Sequence, residues 1–273
     1  MRLLHARDLV FKEFIGKTVP DYAIVSHRWG DEEISHQTFN DHCETYINGE
    51  RHGHGWTKIV KACELALGQG LEWVWIGTCC IDKRSSAELT EAINSMFEWY
   101  RQSEICFAFL PDVYGVCKFD PYDVLPPTQF ESKEFRSSVW FTRAWTLQEL
   151  IAPTEVQFFN ANFEHIGTKI DKTVAHLVSD ATGIPIDVIR NQDIHLDDIV
   201  IAERFGWASK RISTREEDIA YSLLGIIAVN MPLLYEEGRR AFQRLQAEII
   251  RKSTNESIFA WSVVADARAR NGP

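Results

Sequence analysis

The stretch WVWIGTCCIDKRSSAELTEAINSMFEWYRQSEICFAFL, residues 73–110, holds two short apolar runs with a helical pattern between them. The runs EWVWI (72–76) and ICFAFL (105–110) are too short for helices and carry large apolar residues almost throughout. That composition predicts strands buried on both faces. Between them Leu89, Ile93, Met96, Phe97 and Tyr100 recur at three- and four-residue spacing, the stripe of an amphipathic helix. Ser85 and Ser86 supply caps, and Glu88 stands where a capping box needs it. Doubly buried strands separated by helices imply a mostly parallel sheet covered on both sides.

The same alternation extends outward. YAIVS (22–26) reads as a buried strand, followed by a helix in WTKIVKACELALGQG (56–70). Ile59, Cys63, Ala66 and Leu67 share one face of that helix, and Gly68 and Gly70 can end it. TRAWTLQELIAP (142–153) predicts a short helix capped by Thr142 and stopped before Pro153, and EVQFF (155–159) a fourth strand. The expected fold class is α/β, a mostly parallel sheet with helices on both faces. Ligands of such sheets sit beyond the carboxyl ends of the strands. Three stretches fall there: SHRWGDEE (26–33), GTCCIDK (77–83) and PDVYG (111–115). Residues 115–137 read as a long loop. After residue 165, ERFGWASK (203–210), TREEDIAYSLLGII (214–227) and GRRAFQRLQAEIIRKS (238–253) carry helical patterns. Thr214 and Glu217 form a capping box for the second, and Phe242, Leu245 and Ile249 stripe the third. No strong linker separates the halves, so residues 1–265 read as one domain: a core over 1–165 and a helical extension over 166–265 packed on it. Residues 266–273 read as a disordered tail with further chain expected downstream.

The chain has 273 residues and a net charge of −10, which argues against a broad nucleic-acid-binding face but not against a local pocket for a small anion. No run approaches the ~18 apolar residues of a membrane span, and no secretory signal is present, so an intracellular, cytoplasmic protein is expected. Six cysteines occur without a CxxC pair. Adjacent Cys79 and Cys80 would alternate across a continuing strand, poorly placed to share a metal, and no metal site is expected. His36, His42, His52 and His54, with Cys43, complete no recognised ligand set and read as a flexible loop. No glycine-rich dinucleotide fingerprint, phosphate-binding loop or serine-nucleophile elbow is found.

Two stretches carry candidate chemistry. At ~100° per residue, Trp145 and Glu149 lie within ~40° of each other, away from Leu147, Leu150 and Ile151. Periodicity alone favours an exposed helical glutamate beside a half-buried tryptophan; a cleft is the alternative. In the other stretch, Ser26, His27 and Arg28 follow a buried strand, and Arg28 suits a phosphate, whereas Gly30 suits a plain turn.

Five blocks in order, YAIVSHRWGDEE, residues 74–110, WFTRAWTLQELIAP, WASKRISTREEDIAYSLLGI and NMPLLYEEGRRAFQRLQAEII, together resemble the fungal heterokaryon-incompatibility (HET) domain. The resemblance implies a role in programmed cell death after non-self recognition. That family is similar, more distantly, to Toll/interleukin-1 receptor (TIR) domains, which implies a flavodoxin-like sheet and, in several members, cleavage of NAD+. WTLQEL is similar to the TIR stretch whose glutamate is essential for that cleavage, which implies Glu149 as the catalytic residue. Trp145 would shape the pocket; Ser26, His27, Arg28 and Trp29 would line its first-strand side, with Gly77, Cys80, Asp82 and Arg143 completing it. NAD+, or a related nucleotide, would be substrate rather than cofactor, and self-association through the TIR-like core is the implied protein contact. The alternative the resemblance leaves open is a non-enzymatic death-signalling module. Two departures stand out: Gly77 where the family usually has aspartate, which weakens this form by nature or by an inactivating change, and Glu236 where it often has glycine.

Overall fold

The computed structural model describes residues 1–30, 32–49, 53–115, 129–190 and 196–252. Its centre is a seven-stranded sheet in the order β2-β1-β4-β3-β5-β6-β7. The strands are β1 (Arg2–His5), β2 (Phe11–Glu13), β3 (Ala23–His27), β4 (Trp73–Ile76), β5 (Ile105–Phe109), β6 (Val156–Phe159) and β7 (His165–Thr168). β4, β3, β5 and β6 run parallel, and these are the four strands expected from the sequence. The antiparallel strands β1, β2 and β7 extend both edges. At three or four residues each, those strands are too short for a periodicity to register. The architecture is α/β and flavodoxin-like: the first two parallel strands are reversed in sheet order, so chain connections leave β3 in both directions.

The helices are α1 (His36–Ile47), α2 (His54–Gly68), α3 (Ser86–Gln102), α4 (Gln129–Arg136), α5 (Thr146–Ile151), α6 (Lys172–Thr182), α7 (Ile186–Ile189), α8 (Ile201–Ala208), α9 (Asp218–Tyr221) and α10 (Arg240–Lys252). Ser85 caps α3 as expected, its Oγ accepting from the Glu88 amide at 3.2 Å, but Glu88 completes no capping box, because its carboxylate takes the Asp82 amide at 2.8 Å. Several expectations need correction. Residues 36–47, read as loop, are helix α1, which buries Phe39 against Phe11 and Trp56. α4 forms inside the expected loop 115–137; residues 116–128, with Cys117, lie outside the described residues, as does the expected tail. Thr142 does not cap α5; it ends a 3-10 turn over Val139–Thr142, and Trp145 stands at the helix start. Thr214 and Glu217 form no capping box. Thr214 accepts from Arg143 at 2.9 Å, while Glu217 takes the amides of Glu236 and Gly238 at 2.8 and 2.9 Å. That grip holds Glu236 at φ 77°, a left-handed conformation that costs a side-chain-bearing residue about 1 kcal/mol.

Strand alternation decides what each face carries. Trp75 of β4 packs edge-on against Trp99 and Tyr100 of α3, and Cys106 of β5 donates to the Glu149 carbonyl of α5. Ile24 lies between Trp75 and Cys106 in register, so its row faces α3 and α5. The opposite face meets α2, whose Lys58 lies in the cluster around His27. The segment after residue 165 closes over α5. Lys169, fully buried, donates to the Leu150 carbonyl at 3.1 Å and to that of Pro153, closing α5's C-terminal end. Residues of α5 from Thr146 to Ile151 are consequently buried on every side.

Gly225 marks how tightly the C-terminal helices press on α3. A Cβ added there would stand 2.0 Å from Cβ of Phe97. We expect Gly225→Ala to cost at least ~3 kcal/mol, the upper end for overpacking, because the obstacle is a Cβ that no rotamer change moves. Urea unfolding checks this; a loss below ~1 kcal/mol would mean the two surfaces separate at little cost.

Candidate functional site

The polar residues cluster where β3 ends, and alternation sends them two ways. Ser26 turns toward α3 and α5, His27 toward α2.

On the Ser26 side the centre is Glu149, 7% exposed. Ser26 Oγ donates to Glu149 Oε2 and accepts from the indole Nε1 of Trp140 at 2.9 Å. The Tyr100 hydroxyl donates to the Val25 carbonyl at 2.9 Å and also faces the carboxyl. Arg211, from the loop after α8, reaches in behind. Its Nη1 bonds the Arg143 carbonyl at 2.9 Å and Thr146 Oγ1 at 2.8 Å, while its Nη2 is buried with no hydrogen-bond partner. Burial pushes the Glu149 pKa up to about 7, against the hydrogen bonds of Ser26 and Tyr100 and the charge of Arg211. Burial also lowers the Arg211 pKa and Glu149 opposes it; a guanidinium stays charged all the same. The result is a carboxyl group that exchanges its proton near neutrality inside the protein, beside a fixed positive charge.

On the His27 side, Glu33 lies between two bases. Its Oε1 takes Lys58 Nζ at 2.5 Å and the Gly30 amide at 2.9 Å, and its Oε2 lies 3.3 Å from His27 Nε2. The last pair misses hydrogen-bond geometry, and both atoms are buried without a partner. Burial acts to raise Glu33, but His27 and Lys58 outweigh it and hold the carboxylate well below its usual range. Burial and the nearby Lys58 charge pull His27 down to about 4, so the imidazole is neutral at pH 7. A cavity of about 270 Å³ opens beside this cluster, beyond the ends of β3, β5 and β6. His27, Arg28 and Trp29 line it from β3, Phe109 and Pro111 from β5, Asn160 and Phe163 from β6, and His54 and Lys58 from α2.

The structure therefore brings Ser26 and Glu149 together, and separately His27, Arg28 and Trp29. The remaining candidates stand elsewhere. Trp145 is half-buried and bonds Asp218 of α9 rather than sharing a face with an exposed Glu149. The periodicity reading of α5 fails because the helix has no solvent face: the sheet covers one side and the later helices the other. Arg143 reaches Thr214, tying the approach to α5 to the following segment. Cys80 is buried in a turn, its amide bonded to the Ile76 carbonyl at 2.8 Å, so β4 ends before the cysteines. Asp82 braces its own loop, accepting from the amide and guanidinium of Arg84 at 2.7–3.1 Å. A Cβ at Gly77 would meet the ring of Trp75 at 3.1 Å, on the Glu149 side of the sheet. Glu33, Lys58, Tyr100, Trp140 and Arg211 were not picked out from the sequence. Glu33 lies within SHRWGDEE, but the other four reach the site from distant helices and loops and carry no local signal. Among the described residues, no group of three or more His, Cys, Asp and Glu side chains is placed to hold a metal. No described helix is long and apolar enough to cross a membrane.

A carboxyl whose folded pKa exceeds its unfolded value binds more protons when folded, so stability falls as pH rises between the two. For Glu149 the window runs from the unfolded range near 4.5 to about 7. Glu149→Gln should remove that fall, worth up to ~3 kcal/mol, and leave the protein more stable than the parent at pH 8. Urea unfolding at pH 5 and pH 8 measures it; identical pH slopes for parent and variant would refute the burial argument. Ser26→Ala, which strands the Trp140 indole and removes one of the hydrogen bonds to Glu149, should cost about 2 kcal/mol in the same assay.

Residues 22–114 match a family model described as Heterokaryon incompatibility protein (HET), and residues 240–271 match a domain of unknown function, DUF8212. The chain is 40% identical over 257 residues to Vegetative incompatibility protein HET-E-1 of Podospora anserina. That match takes in 91% of this chain and 18% of the relative, so the chain spans under a fifth of that protein's length. No solved structure gives a significant match. The family match over residues 22–114 and the relative aligned along 91% of the chain identify it as carrying a heterokaryon-incompatibility (HET) domain.

Proposed function

We propose that this domain is a cell-death effector of fungal non-self recognition and that it hydrolyses the N-glycosidic bond of NAD+. The observation that carries the reading is Glu149: a carboxyl with a pKa of about 7, buried at the end of a central parallel strand beside Ser26, Tyr100 and Arg211. Cleavage of the nicotinamide–ribose bond builds positive charge at the ribose C1′, as in glycoside hydrolysis. Nicotinamide leaves as a neutral ring with the bonding electron pair, so no strong acid is needed. Water then adds at C1′ and releases a proton, giving ADP-ribose, nicotinamide and H⁺. In surroundings of low dielectric an ionised Glu149 stabilises the C1′ charge far more than it would in water. Ser26 holds the carboxylate in place.

One observation favours a second reading, a non-enzymatic module that signals by self-association through the α/β core. Glu149 is only 7% exposed and accepts from Ser26 of β3, which suits a side chain that locks α5 to the sheet. The two readings part at the bench. Purified protein is incubated with NAD+ and nicotinamide release followed for this sequence, for Gly77→Asp, and for Gly77→Asp combined with Glu149→Gln. Enzymatic function predicts at least tenfold faster release from Gly77→Asp than from this sequence, and background release from the double variant. The rate of Gly77→Asp should also rise with pH through about 7, as Glu149 ionises. Release that is unaffected by Glu149→Gln rules out the catalytic assignment, and background release from all three supports the self-association reading.

A further inference from the structure

Glu149 is shut away from any substrate, and the walls that enclose it are unequal. Ser26 of β3, Tyr100 of α3, Cys106 of β5 and Trp140 of the 3-10 turn are all core residues with almost no exposed surface. The remaining wall is Arg211, carried by the loop between α8 and α9. Within residues 209–216 of that loop Arg211 alone is buried, and Ile212 beside it is 57% exposed. The loop lies across the approach to α5 on few bonds. The Ile212 amide donates to the Thr142 carbonyl at 2.7 Å, its carbonyl accepts from the Ala144 amide at 2.9 Å, and Thr214 Oγ1 accepts from Arg143. Its other contacts are at the surface: Arg215 over the Tyr235 ring at 4.5 Å and Glu216 paired with Arg239 at 2.8 Å. Exposed pairs of that kind hold weakly. The two ends are fixed, by α8 on one side and on the other by Glu217, which grips the amides of Glu236 and Gly238. Arg211 itself is incompletely satisfied, with its Nη2 buried and unpartnered. A guanidinium nitrogen left unpaired away from water is disfavoured, and lifting the loop returns it to solvent.

We propose that residues 209–216 form a strap that keeps the Glu149 site shut, with Arg211 as its plug, and that the site opens when the strap lifts from Thr142–Trp145 and carries the guanidinium out. Shut, the strap sets a cation of the protein against the carboxyl that would otherwise stabilise positive charge at the ribose C1′. Plug and substrate therefore compete for one group. The purpose of the strap rests on the cleavage proposed above, whereas its opening is measurable without it.

The test locks the strap. Arg143 and Ile212 are parallel bridge partners, and strands so paired lie ~4.8 Å apart, within the ~4.4–6.8 Å that a disulfide spans between Cα atoms. Arg143→Cys with Ile212→Cys, in the Gly77→Asp chain, is oxidised with glutathione disulfide, which takes up the protons and electrons of the two thiols. The oxidised form should release nicotinamide from NAD+ at least tenfold more slowly than the same protein after dithiothreitol, and Gly77→Asp alone should respond to neither treatment. Access to Glu149 is read separately, by amidation with a water-soluble carbodiimide and glycine ethyl ester followed by peptide mapping. Oxidation should slow amidation of Glu149 at least fivefold. Arg211→Ala, which needs no bridge, should speed it at least fivefold over the parent. Glu33, on the other face of the sheet, should stay as protected as before, which shows the fold intact. If no form releases nicotinamide, the cleavage reading falls and the labelling still decides the strap. The proposal is overturned if the locked and reduced forms label alike, if they cleave NAD+ alike above background, or if Arg211→Ala leaves Glu149 as protected as in the parent.

Discussion

The bond from Ser26 to Glu149 is the contact around which the rest is arranged. A central strand of a parallel sheet is covered by helices, and a polar side chain there has no access to water. Ser26 is fully buried and resolves that constraint by serving two partners, the Trp140 indole and the Glu149 carboxyl. Through them β3 fixes the 3-10 turn before α5 and α5 itself. Arg211 then fixes the same turn from outside, through the Arg143 carbonyl and Thr146. Sheet, buried helix and C-terminal segment thus meet at one hydrogen-bonded point. An unpartnered carboxyl at that depth would cost several kcal/mol, so the elements around Glu149 are held in place together.

The same strand end carries a second polar centre of opposite design. At Glu149 one carboxyl faces one guanidinium at a distance beyond ion pairing, and burial strengthens its hold on the proton until it titrates near neutrality. At Glu33 two bases crowd one carboxylate, and the charge is firmly fixed. Two adjacent residues on one strand therefore open onto a titratable site and a non-titrating one. That contrast follows from which helix each face receives: α5 brings a single acid, whereas α2 brings Lys58.

Much of the fold was legible from local pattern. The four parallel strands and helices α2, α3, α8 and α10 were found because each is amphipathic or wholly apolar over enough residues to show a period. The edge strands were too short, and α1 was hidden by its polar, histidine-rich composition. α5 was found but misoriented. A helix buried on both sides still shows leucines on one face, and nothing local tells whether Glu149 on the other meets water or protein. The site was legible only in its chain-local part, SHRWGDEE and WTLQEL. Tyr100, Trp140, Lys58 and Arg211 are brought in by tertiary packing, and their spacing in sequence carries no trace of it.

β3 is buried along its whole length, and Ala23, Ile24 and Val25 are apolar on both faces. A hydrophobic pattern with no preferred side cannot choose between this alignment and one shifted by a residue. The shifted strand would press His27 against Glu149 and offer Ser26 to Lys58 and Glu33, leaving both polar centres mismatched. The two polar residues thus serve as alignment marks for the sheet: a chain that folds with β3 out of step is penalised at the same positions where it would lose its sites.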